Sequence, residues 1–314
     1  MIATVTLNPS LDEWIQLPSL RMGALNRAGG FARYPGGKGI NVSRVVRELG
    51  GRTLALAFAG GEDGLILREL MNRLRIPHTF VSVRGATRNN YKIRTLHPPT
   101  LTEINTAGPR VSSADVRAFE RLLFRLAPAP RCVALSGSLP PGVPASMYRR
   151  WIGRLGRHNI PVALDASGAA LREGIRAHPW LIKPNRQEAE ELLGRRLTRV
   201  RHVVQAAQHL LRMGPSVVVL SLGRQGAVMA YATASDRGVW MARPPSVTVR
   251  SAVGAGDSLV GGFLTGWVNG LTLHEAFRLG VACGTAAAMT SGTELCRRAD
   301  VTRIARQVLV RRAA

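Results

Sequence analysis

The segment VGAGDSLVGGFLTGW, residues 253–267, carries the clearest chemical signal in the chain. Gly254, Ala255 and Gly256 are small enough for a tight turn, and Asp257 then opens a run of small and apolar residues that predicts a helix. A helix N-terminus has free N–H groups and the positive end of the helix dipole, so it attracts anions. A carboxylate beside such a site is suited to act as a general base toward a hydroxyl group. A simple N-cap role for Asp257 explains this segment equally well.

A second glycine-rich turn lies in YPGGKGINVSRVVRELGG, residues 34–51. Gly36, Gly37 and Gly39 allow the backbone to approach a ligand closely, and Asn41 opens a predicted helix with its amide free to bond a polar group. The spacing matches neither the dinucleotide-binding GxGxxG pattern nor the phosphate-binding GxxxxGK[ST] loop. The sequence therefore disfavours both a Rossmann dinucleotide site and a P-loop nucleotide site.

Short β-branched and apolar runs alternate along the chain with amphipathic stretches. This alternation predicts an α/β fold with a mostly parallel sheet and helices on both of its faces. The predicted strands are 2–7, 53–60, 78–83, 131–136, 161–166, 181–184, 216–222 and 226–232, and the predicted helices are 38–49, 63–74, 112–126, 144–156, 186–193, 200–213, 255–269, 272–289 and 300–311.

Two segments, 11–35 and 87–107, interrupt this alternation. Both contain extended polar and apolar alternation with no helix beside it, as in DEWIQLP, NYKIRTLH and LTEINT. We expect them to form a small antiparallel sheet above the main sheet. Such a sheet would act as a lid that excludes water from a reaction, whereas ordinary surface hairpins are the alternative.

Together the motifs resemble the ribokinase-like sugar kinases, specifically their phosphofructokinase B branch. That branch includes 1-phosphofructokinase, tagatose-6-phosphate kinase and the minor 6-phosphofructokinase. The resemblance covers essentially the whole chain as one domain, residues 1–314, and implies a ribokinase-like three-layer sandwich with a small β-sheet lid. It rests on motifs in the family's order and spacing: TLNPSLD (6–12), GGKGINVSRV (36–45), TRNN (87–90), SGSLPPGV (136–143), IKPNRQE (182–188), VVLSLGRQGA (218–227) and VGAGDS (253–258).

The resemblance implies roles for the turn that begins at Gly254. Asp257 resembles the base that takes the proton from the attacking sugar hydroxyl. The backbone amides of Ala255, Gly256 and Asp257 resemble the anion hole that holds the transferring phosphoryl group. This chemistry suits phosphoryl transfer, which depends on positioning and charge stabilisation.

The resemblance also implies residues that bind the sugar. Asp12 resembles the carboxylate that binds sugar hydroxyls. Arg88 resembles the centre of a clamp on the phosphate that the substrate already carries, because the guanidinium fork matches phosphate oxygens. For Arg88, a solvated surface base is the alternative. The resemblance adds Arg27 and Ser138 to the clamp, and Gly37, Lys38 and Asn41 to the sugar contacts.

The resemblance further implies residues that bind the nucleotide, beginning with the family's K-P-N-x-x-E segment. Lys183 and Asn185 match its positions near the ATP phosphates. Glu188 matches the acid near magnesium, which it would hold through water. A first-turn acid favoured by the helix dipole is the alternative for Glu188. The loop that lines the nucleotide is matched by Ser221, Gly223 and Gly226.

The resemblance therefore predicts a kinase that uses ATP and Mg²⁺ and acts on a phosphorylated ketohexose. Fructose 1-phosphate and fructose 6-phosphate would both give fructose 1,6-bisphosphate, and tagatose 6-phosphate is the alternative substrate. Leu25 stands where the minor 6-phosphofructokinase has lysine, and GGKG and TEIN (102–105) resemble the other two enzymes. SGTELCRR (291–298) and SGSLPPGV instead resemble the minor 6-phosphofructokinase, so the subgroup stays open.

Composition limits the partners and the compartment. Basic residues number 43 against 19 acidic residues, for a net charge of +24, and all but three of them are arginine. They are spread over the chain without a basic tail, so specific nucleic-acid binding is only the alternative class of function. Three scattered cysteines and the absence of a long apolar window indicate a cytoplasmic protein without a membrane partner. The exposed edges of the lid sheet predict a homodimer.

Overall fold

The computed structural model describes residues 1–234 and 236–313. Within them the strands are β1 (Ile2–Thr6), β2 (Ser10–Leu17), β3 (Gly30–Gly36), β4 (Thr53–Ala59), β5 (His78–Ser82), β6 (Arg88–Leu96), β7 (Pro99–Asn105), β8 (Cys132–Ser136), β9 (Val162–Asp165), β10 (Leu181–Ile182), β11 (Val217–Ser221), β12 (Ala227–Ala232), β13 (Arg237–Arg243) and β14 (Leu309–Arg312). The α-helices are α1 (Lys38–Glu48), α2 (Gly61–Arg73), α3 (Ser113–Phe124), α4 (Met147–Gly156), α5 (Gly168–Ile175), α6 (Arg186–Leu193), α7 (Val200–Arg212), α8 (Ala255–Val268), α9 (Leu273–Ala288) and α10 (Arg298–Ala305).

The main sheet has ten strands in the order β14-β13-β12-β11-β10-β9-β8-β1-β4-β5. The seven strands from β11 to β5 run parallel, and β12, β13 and β14 continue the sheet with antiparallel pairing. Parallel neighbours need crossover connections, and helices supply most of them. The prediction of a mostly parallel sheet is confirmed.

Helices cover both faces of the main sheet. Buried side chains of α3, α4, α5 and α7 pack on one face, among them Phe119 and Trp151. Buried side chains of α1, α8, α9 and α10 pack on the other face, among them Leu259 and Phe277. The strands contribute to both layers because successive side chains alternate between faces. The result is the predicted three-layer α/β sandwich, and no helix within the two described ranges is long and apolar enough to span a membrane.

Glycines let α8 lie unusually close to its two neighbouring helices. A Cβ at Gly261 would lie 2.7 Å from Val45 of α1, and a Cβ at Gly262 would clash with Cys283 of α9. The missing side chains thus bring α1 and α8 side by side. These are the helices that follow the two glycine-rich turns, so this packing brings the turns together.

A second sheet of four strands has the order β3-β2-β6-β7. Its strands fall within the predicted lid segments 11–35 and 87–107, apart from the first residue of β2, Ser10, and the last residue of β3, Gly36. The expectation of a fully antiparallel sheet is wrong, because β2 and β6 pair in parallel. Both strands begin shortly after a parallel strand of the main sheet ends, so they leave the same edge in the same direction.

The C-terminal helix is shorter than predicted. The sequence predicts a helix over 300–311, but α10 ends at Ala305 and Leu309–Arg312 forms β14 instead. The reason is tertiary, because β13 would otherwise present unpaired backbone groups and β14 pairs with it. Neither β13 nor α5 is predicted from the sequence.

We expect the same substitution to have opposite effects in two helices. Gly262→Ala should lower the free energy of unfolding by about 1–3 kcal/mol, because the new methyl group overpacks the contact with Cys283. In Gly153→Ala, the new methyl group in α4 meets no atom within 4 Å. This substitution should raise the free energy of unfolding by about 0.5–1 kcal/mol, because alanine favours the helix more than glycine does. Urea unfolding of both variants measures the difference, and a stabilised Gly262→Ala variant would contradict the close helix contact.

Candidate active site

The predicted site residues gather at the carboxyl ends of the parallel strands. Lys183 follows β10 and Ser221 ends β11, and Asp165, which is not among the predicted residues, ends β9. In open α/β sheets this edge is where ligands bind, because strand ends and loops from several crossovers meet there. The structure therefore brings together residues that are far apart in sequence.

The turn before α8 has the geometry that its glycines predict. Gly254 adopts a left-handed conformation with φ of 74°, and a Cβ there would also lie 2.5 Å from Leu295 Cδ2. Asp257 lies in the first turn of α8 and is 8% exposed. The N–H groups of Gly256 and Asp257 have no acceptor among the described residues, whereas that of Ala255 donates to the Ala252 carbonyl. Two of the three predicted anion-hole amides are therefore free.

A hydrogen bond joins this turn to the other glycine-rich turn. Asn41 Nδ2 donates to Asp257 Oδ2 at 2.8 Å. Arg44 Nη1 in turn donates to Asn41 Oδ1 at 3.0 Å. Asn41 and Asp257 are separated by 216 positions in sequence, so only the packing of α1 against α8 brings them into contact. One carboxylate oxygen of Asp257 is thereby engaged, and Oδ1 is left without a hydrogen bond in the described parts of the chain.

Two lysines share one buried carboxylate beside Asp257. Lys38 Nζ lies 2.9 Å and Lys183 Nζ 3.4 Å from Asp165 Oδ1. Lys183 also reaches the anion-binding turn, because a Cβ at Gly256 would lie 3.3 Å from its Nζ. Asp165 Oδ2 is buried without a partner in the described parts of the chain. Asp165 belongs to this cluster although it was not predicted from the sequence, where only its place at the end of a buried strand marks it.

These charges shift one another's pKa values. Burial and the nearby Asp165 carboxylate raise the pKa of Asp257 to about 6, against the opposing effects of Lys38, Asn41 and Lys183. Burial also opposes ionisation of Asp165, but Lys183 and Lys38 outweigh it and lower the Asp165 pKa. Burial acts to lower the Lys38 pKa, yet the surrounding carboxylates, led by Asp165, raise it. Asp257 is therefore ionised at neutral pH and can accept a proton.

The second sheet presents polar groups from β2 and β6. Asp12 is buried, accepts a hydrogen bond from Ser10 Oγ at 2.9 Å and lies 3.7 Å from Lys92 Nζ. Asn90 Nδ2 lies 3.4 Å from Asp12 Oδ1. In-register pairing puts Asp12 and Asn90 on one face of the sheet. Gly37 has φ of 110° and no room for a side chain beside Thr6, the last residue of β1. It therefore keeps the end of β3 close to the end of β1.

The predicted phosphate clamp is only partly assembled. The Arg88 guanidinium donates to the carbonyls of Asn8 and Thr106, at distances of 2.9–3.2 Å. Asn8 Nδ2 donates to Ser138 Oγ at 3.2 Å, so Arg88 and Ser138 are linked through Asn8. Arg27 lies apart in the exposed connection between β2 and β3. Asn8 is a linking residue that the sequence analysis does not single out.

On the predicted nucleotide side, Asn185 and Glu188 form the N-terminal capping box of α6. Each side chain accepts a hydrogen bond from the other residue's backbone N–H at 2.8 Å. Ser221 forms an isolated bridge with Asn185, which places β11 beside this helix start. Gly223 has open space around it, whereas a Cβ at Gly226 would collide with the Ala242 carbonyl. Gly226 is thus required by packing alone, whatever contact it makes with a nucleotide.

We expect Asp165→Asn to destabilise the fold by about 3 kcal/mol or more, because it leaves two clustered lysines without their shared anion. Glu173→Gln is the control, since Glu173 forms two ion pairs near the surface, with Arg149 and Arg176, and should cost less than about 1 kcal/mol. Urea unfolding midpoints measure both effects. Equal, small effects would show that the Lys38–Asp165–Lys183 cluster does not stabilise the fold.

Comparisons with known proteins show the family to which the chain belongs. Residues 5–300 match the pfkB family of carbohydrate kinases. The 1-phosphofructokinase of Bacillus subtilis (strain 168) is 38% identical over 296 residues, which cover 94% of this chain and 95% of that protein. The 1-phosphofructokinase of Escherichia coli (strain K12) is 36% identical over 290 residues, covering 92% and 91%.

Solved structures extend the likeness to the fold. The crystal structure of phosphofructokinase-2 from Escherichia coli in complex with substrates and products has a TM-score of 0.92 at 32% identity and covers 98% of both chains. Ribokinase from Thermotoga maritima has a TM-score of 0.76 at 19% identity, which shows a shared fold. The predicted ribokinase-like architecture and the phosphofructokinase B resemblance are both confirmed. The chain belongs to the pfkB family of carbohydrate kinases.

Proposed function

We propose that this kinase transfers the γ-phosphoryl group of ATP to a fructose phosphate and forms fructose 1,6-bisphosphate, with fructose 1-phosphate as its preferred acceptor. The observation that carries the proposal is Asp257, a carboxylate at a helix N-terminus with free amides beside it and a pKa raised to about 6. The preference for fructose 1-phosphate is supported by near full-length relatives that are 1-phosphofructokinases.

In the proposed reaction Asp257 acts as the general base. Its Oδ1 accepts the proton of the acceptor hydroxyl while that oxygen bonds to the γ-phosphorus and the bond to the ADP oxygen breaks. Asn41 holds Oδ2 and so orients the carboxylate. The free N–H groups of Gly256 and Asp257 stabilise the negative charge of the transferring group.

Two cationic side chains meet the phosphates of the nucleotide. Lys183 lies against Gly256, and Lys38 shares Asp165 with it, so both ammonium groups adjoin the path of the transferring group. Their charge offsets the charge that builds on the phosphoryl oxygens. The proposed contacts to the rest of the nucleotide, beyond its phosphates, are Asn185, Ser221, Gly223 and Gly226.

Magnesium is proposed to enter as the MgATP substrate. Within the described residues no group of three or more His, Cys, Asp or Glu side chains forms a metal cage. Mg²⁺ retains several waters and binds mainly through nucleotide phosphates, so a single carboxylate that contacts it through water is sufficient protein contact. Glu188 uses Oε2 for the α6 cap, and its other oxygen is the one proposed to accept a hydrogen bond from a metal-bound water.

The second sheet is the proposed lid and sugar site. Asp12 would accept hydrogen bonds from sugar hydroxyls, and Gly37, Lys38 and Asn41 border the same space from the other side. Arg88 and Ser138, with Arg27 from the exposed loop, are the proposed contacts to the substrate's existing phosphate. Closure of the lid would exclude water and so prevent hydrolysis of ATP.

We propose a cytoplasmic location for the enzyme.

A coupled assay that follows ADP formation tests the proposed function. The purified protein is compared on fructose 1-phosphate, fructose 6-phosphate and tagatose 6-phosphate at equal concentration, with unphosphorylated fructose as the control. The highest kcat/KM is expected for fructose 1-phosphate. Faster phosphorylation of fructose itself would refute a phosphorylated acceptor, and faster phosphorylation of tagatose 6-phosphate would move the enzyme to the other subgroup.

We expect Asp257→Asn to lower kcat by roughly a thousandfold or more, because the amide cannot accept the proton. The variant should stay folded and keep its affinity for MgATP. In the native enzyme kcat/KM should fall as the pH drops through about 6, because Asp257 takes up a proton there, and the variant should lack this limb. Turnover near the native rate in Asp257→Asn would remove Asp257 from the chemistry.

We also propose that the enzyme is a homodimer through the lid sheet. Phe31, Tyr91 and Ile104 are 62%, 38% and 50% exposed. Strand register places them on one face, since Tyr91 pairs with Ile104 and with Glu13, and Phe31 pairs with Ile15 two residues along β2. A second copy of the same surface would bury these side chains, as a twofold interface requires.

Phe31→Lys should convert the dimer to a monomer, because it replaces the most exposed of these three apolar side chains with a charge. Leu309→Lys is the matched control, since Leu309 is 72% exposed on β14 at the far edge of the main sheet. Light scattering coupled to size exclusion measures the mass of each variant. A native monomer, or equal masses for the two variants, would argue against the lid interface.

A further inference from the structure

Arg44 is a partly buried charged residue of α1 that has no part in the reaction proposed above. Its guanidinium donates three hydrogen bonds: Nη1 to Asn41 Oδ1 at 3.0 Å, Nη1 to the Pro35 carbonyl at 3.4 Å, and Nη2 to the Thr293 carbonyl at 3.2 Å. The side chain therefore joins α1, the end of β3 and the segment that follows α9.

These contacts determine which way the Asn41 amide faces. A guanidinium group only donates hydrogen bonds, so the Asn41 oxygen must face Arg44. The amide nitrogen then faces the Asp257 carboxylate, to which it donates. The opposite amide orientation would set two donors against each other at Arg44 and two acceptors against each other at Asp257.

Arg44 also lies among acidic groups from four other parts of the chain. Burial lowers its pKa, while Asp12 of β2, Tyr34 of β3, Asp257 of α8 and Glu294 after α9 all favour the charged form. Two of these groups, Asp12 and Asp257, are the carboxylates proposed to contact the acceptor sugar. The other groups that face Asp257 are Asp165, Lys38, Lys183 and Asn41.

We propose that Arg44 is a positioning residue, which fixes the Asn41 amide and so presents Asp257 Oδ1 to the acceptor hydroxyl while it ties the last residues of lid strand β3 to the segment after α9. The proposal rests on the proposed function only in treating Asp257 as the base. A general base works only when its oxygen is held within hydrogen-bond reach of the hydroxyl, and a misplacement of about 1 Å can cost a hundredfold in rate.

Three variants test this role. Arg44→Met removes the charge and the donors at similar volume, and Arg44→Lys keeps the charge without the planar fork. Arg47→Met is the matched control, because Arg47 is exposed in the last turn of the same helix. Each variant is measured for kcat, for KM of MgATP and for the titration of the Asp257 carboxyl group by ¹³C NMR of labelled aspartate. The Asp257→Asn variant identifies the resonance.

We expect Arg44→Met to lower kcat about 10- to 100-fold with little change in KM for MgATP, and to raise the Asp257 pKa relative to Arg47→Met. Arg44→Lys should keep the native titration but still lose kcat, since an ammonium group cannot bridge all three acceptors. Arg47→Met should match the native protein in every measurement.

The proposal is overturned if folded Arg44→Met keeps the native kcat, or if its Asp257 titration coincides with that of Arg47→Met. It is also overturned if Arg44→Lys restores kcat fully, because the fork would then be unnecessary. If Arg44→Met does not fold, the Arg44→Lys result decides. A native protein without kinase activity would instead refute the proposed function, and the NMR titration would still test whether Arg44 acts on Asp257.

Discussion

Two carboxylates, of Asp165 and Asp257, and two ammonium groups, of Lys38 and Lys183, lie together at the carboxyl edge of the main sheet. The balance between their opposite charges is the constraint on which the site depends. Asp165 and Asp257 are almost wholly buried, and Lys183 is 4% exposed. A buried charge without a partner is very costly, so the buried Asp165 and Lys183 are tolerable only because they face opposite charges. The same balance tunes Asp257, because Asp165 raises its pKa while Lys38 and Lys183 limit the rise.

The helix packing explains how this cluster forms. Gly261 lets α8 lie directly against α1, and Gly262 lets it lie against α9. The two glycine-rich turns therefore meet, and Asn41 can reach Asp257 across them. The arrangement suits a phosphoryl transferase, whose work is to align a hydroxyl with a phosphorus atom and to stabilise the charge that develops. The second sheet adds the buried polar side chains of Asp12 and Asn90.

Local signals in the sequence predicted much of this site. The turn at Gly254, the helix with Asp257 in its first turn and the parallel strands all follow from residue size and hydrophobic period. Asp165 was missed because VALD resembles any buried strand, and only the approach of Lys38 and Lys183 gives its carboxylate a role. Arg44 was missed because one arginine among so many carries no local signal. The last strand, β14, was taken for helix because its pairing partner is distant in sequence.

The sequence by itself determined the alternating α/β pattern, the two flexible turns and the chemical types of the groups that follow them, since backbone freedom and side-chain period act over a few neighbouring residues. Tertiary structure alone decided that β2 and β6 run parallel, that Asn41 orients Asp257 and that Asp165 is shared by two lysines. These features depend on contacts between segments far apart along the chain, and such contacts form only when the apolar faces of sheet and helices are buried together.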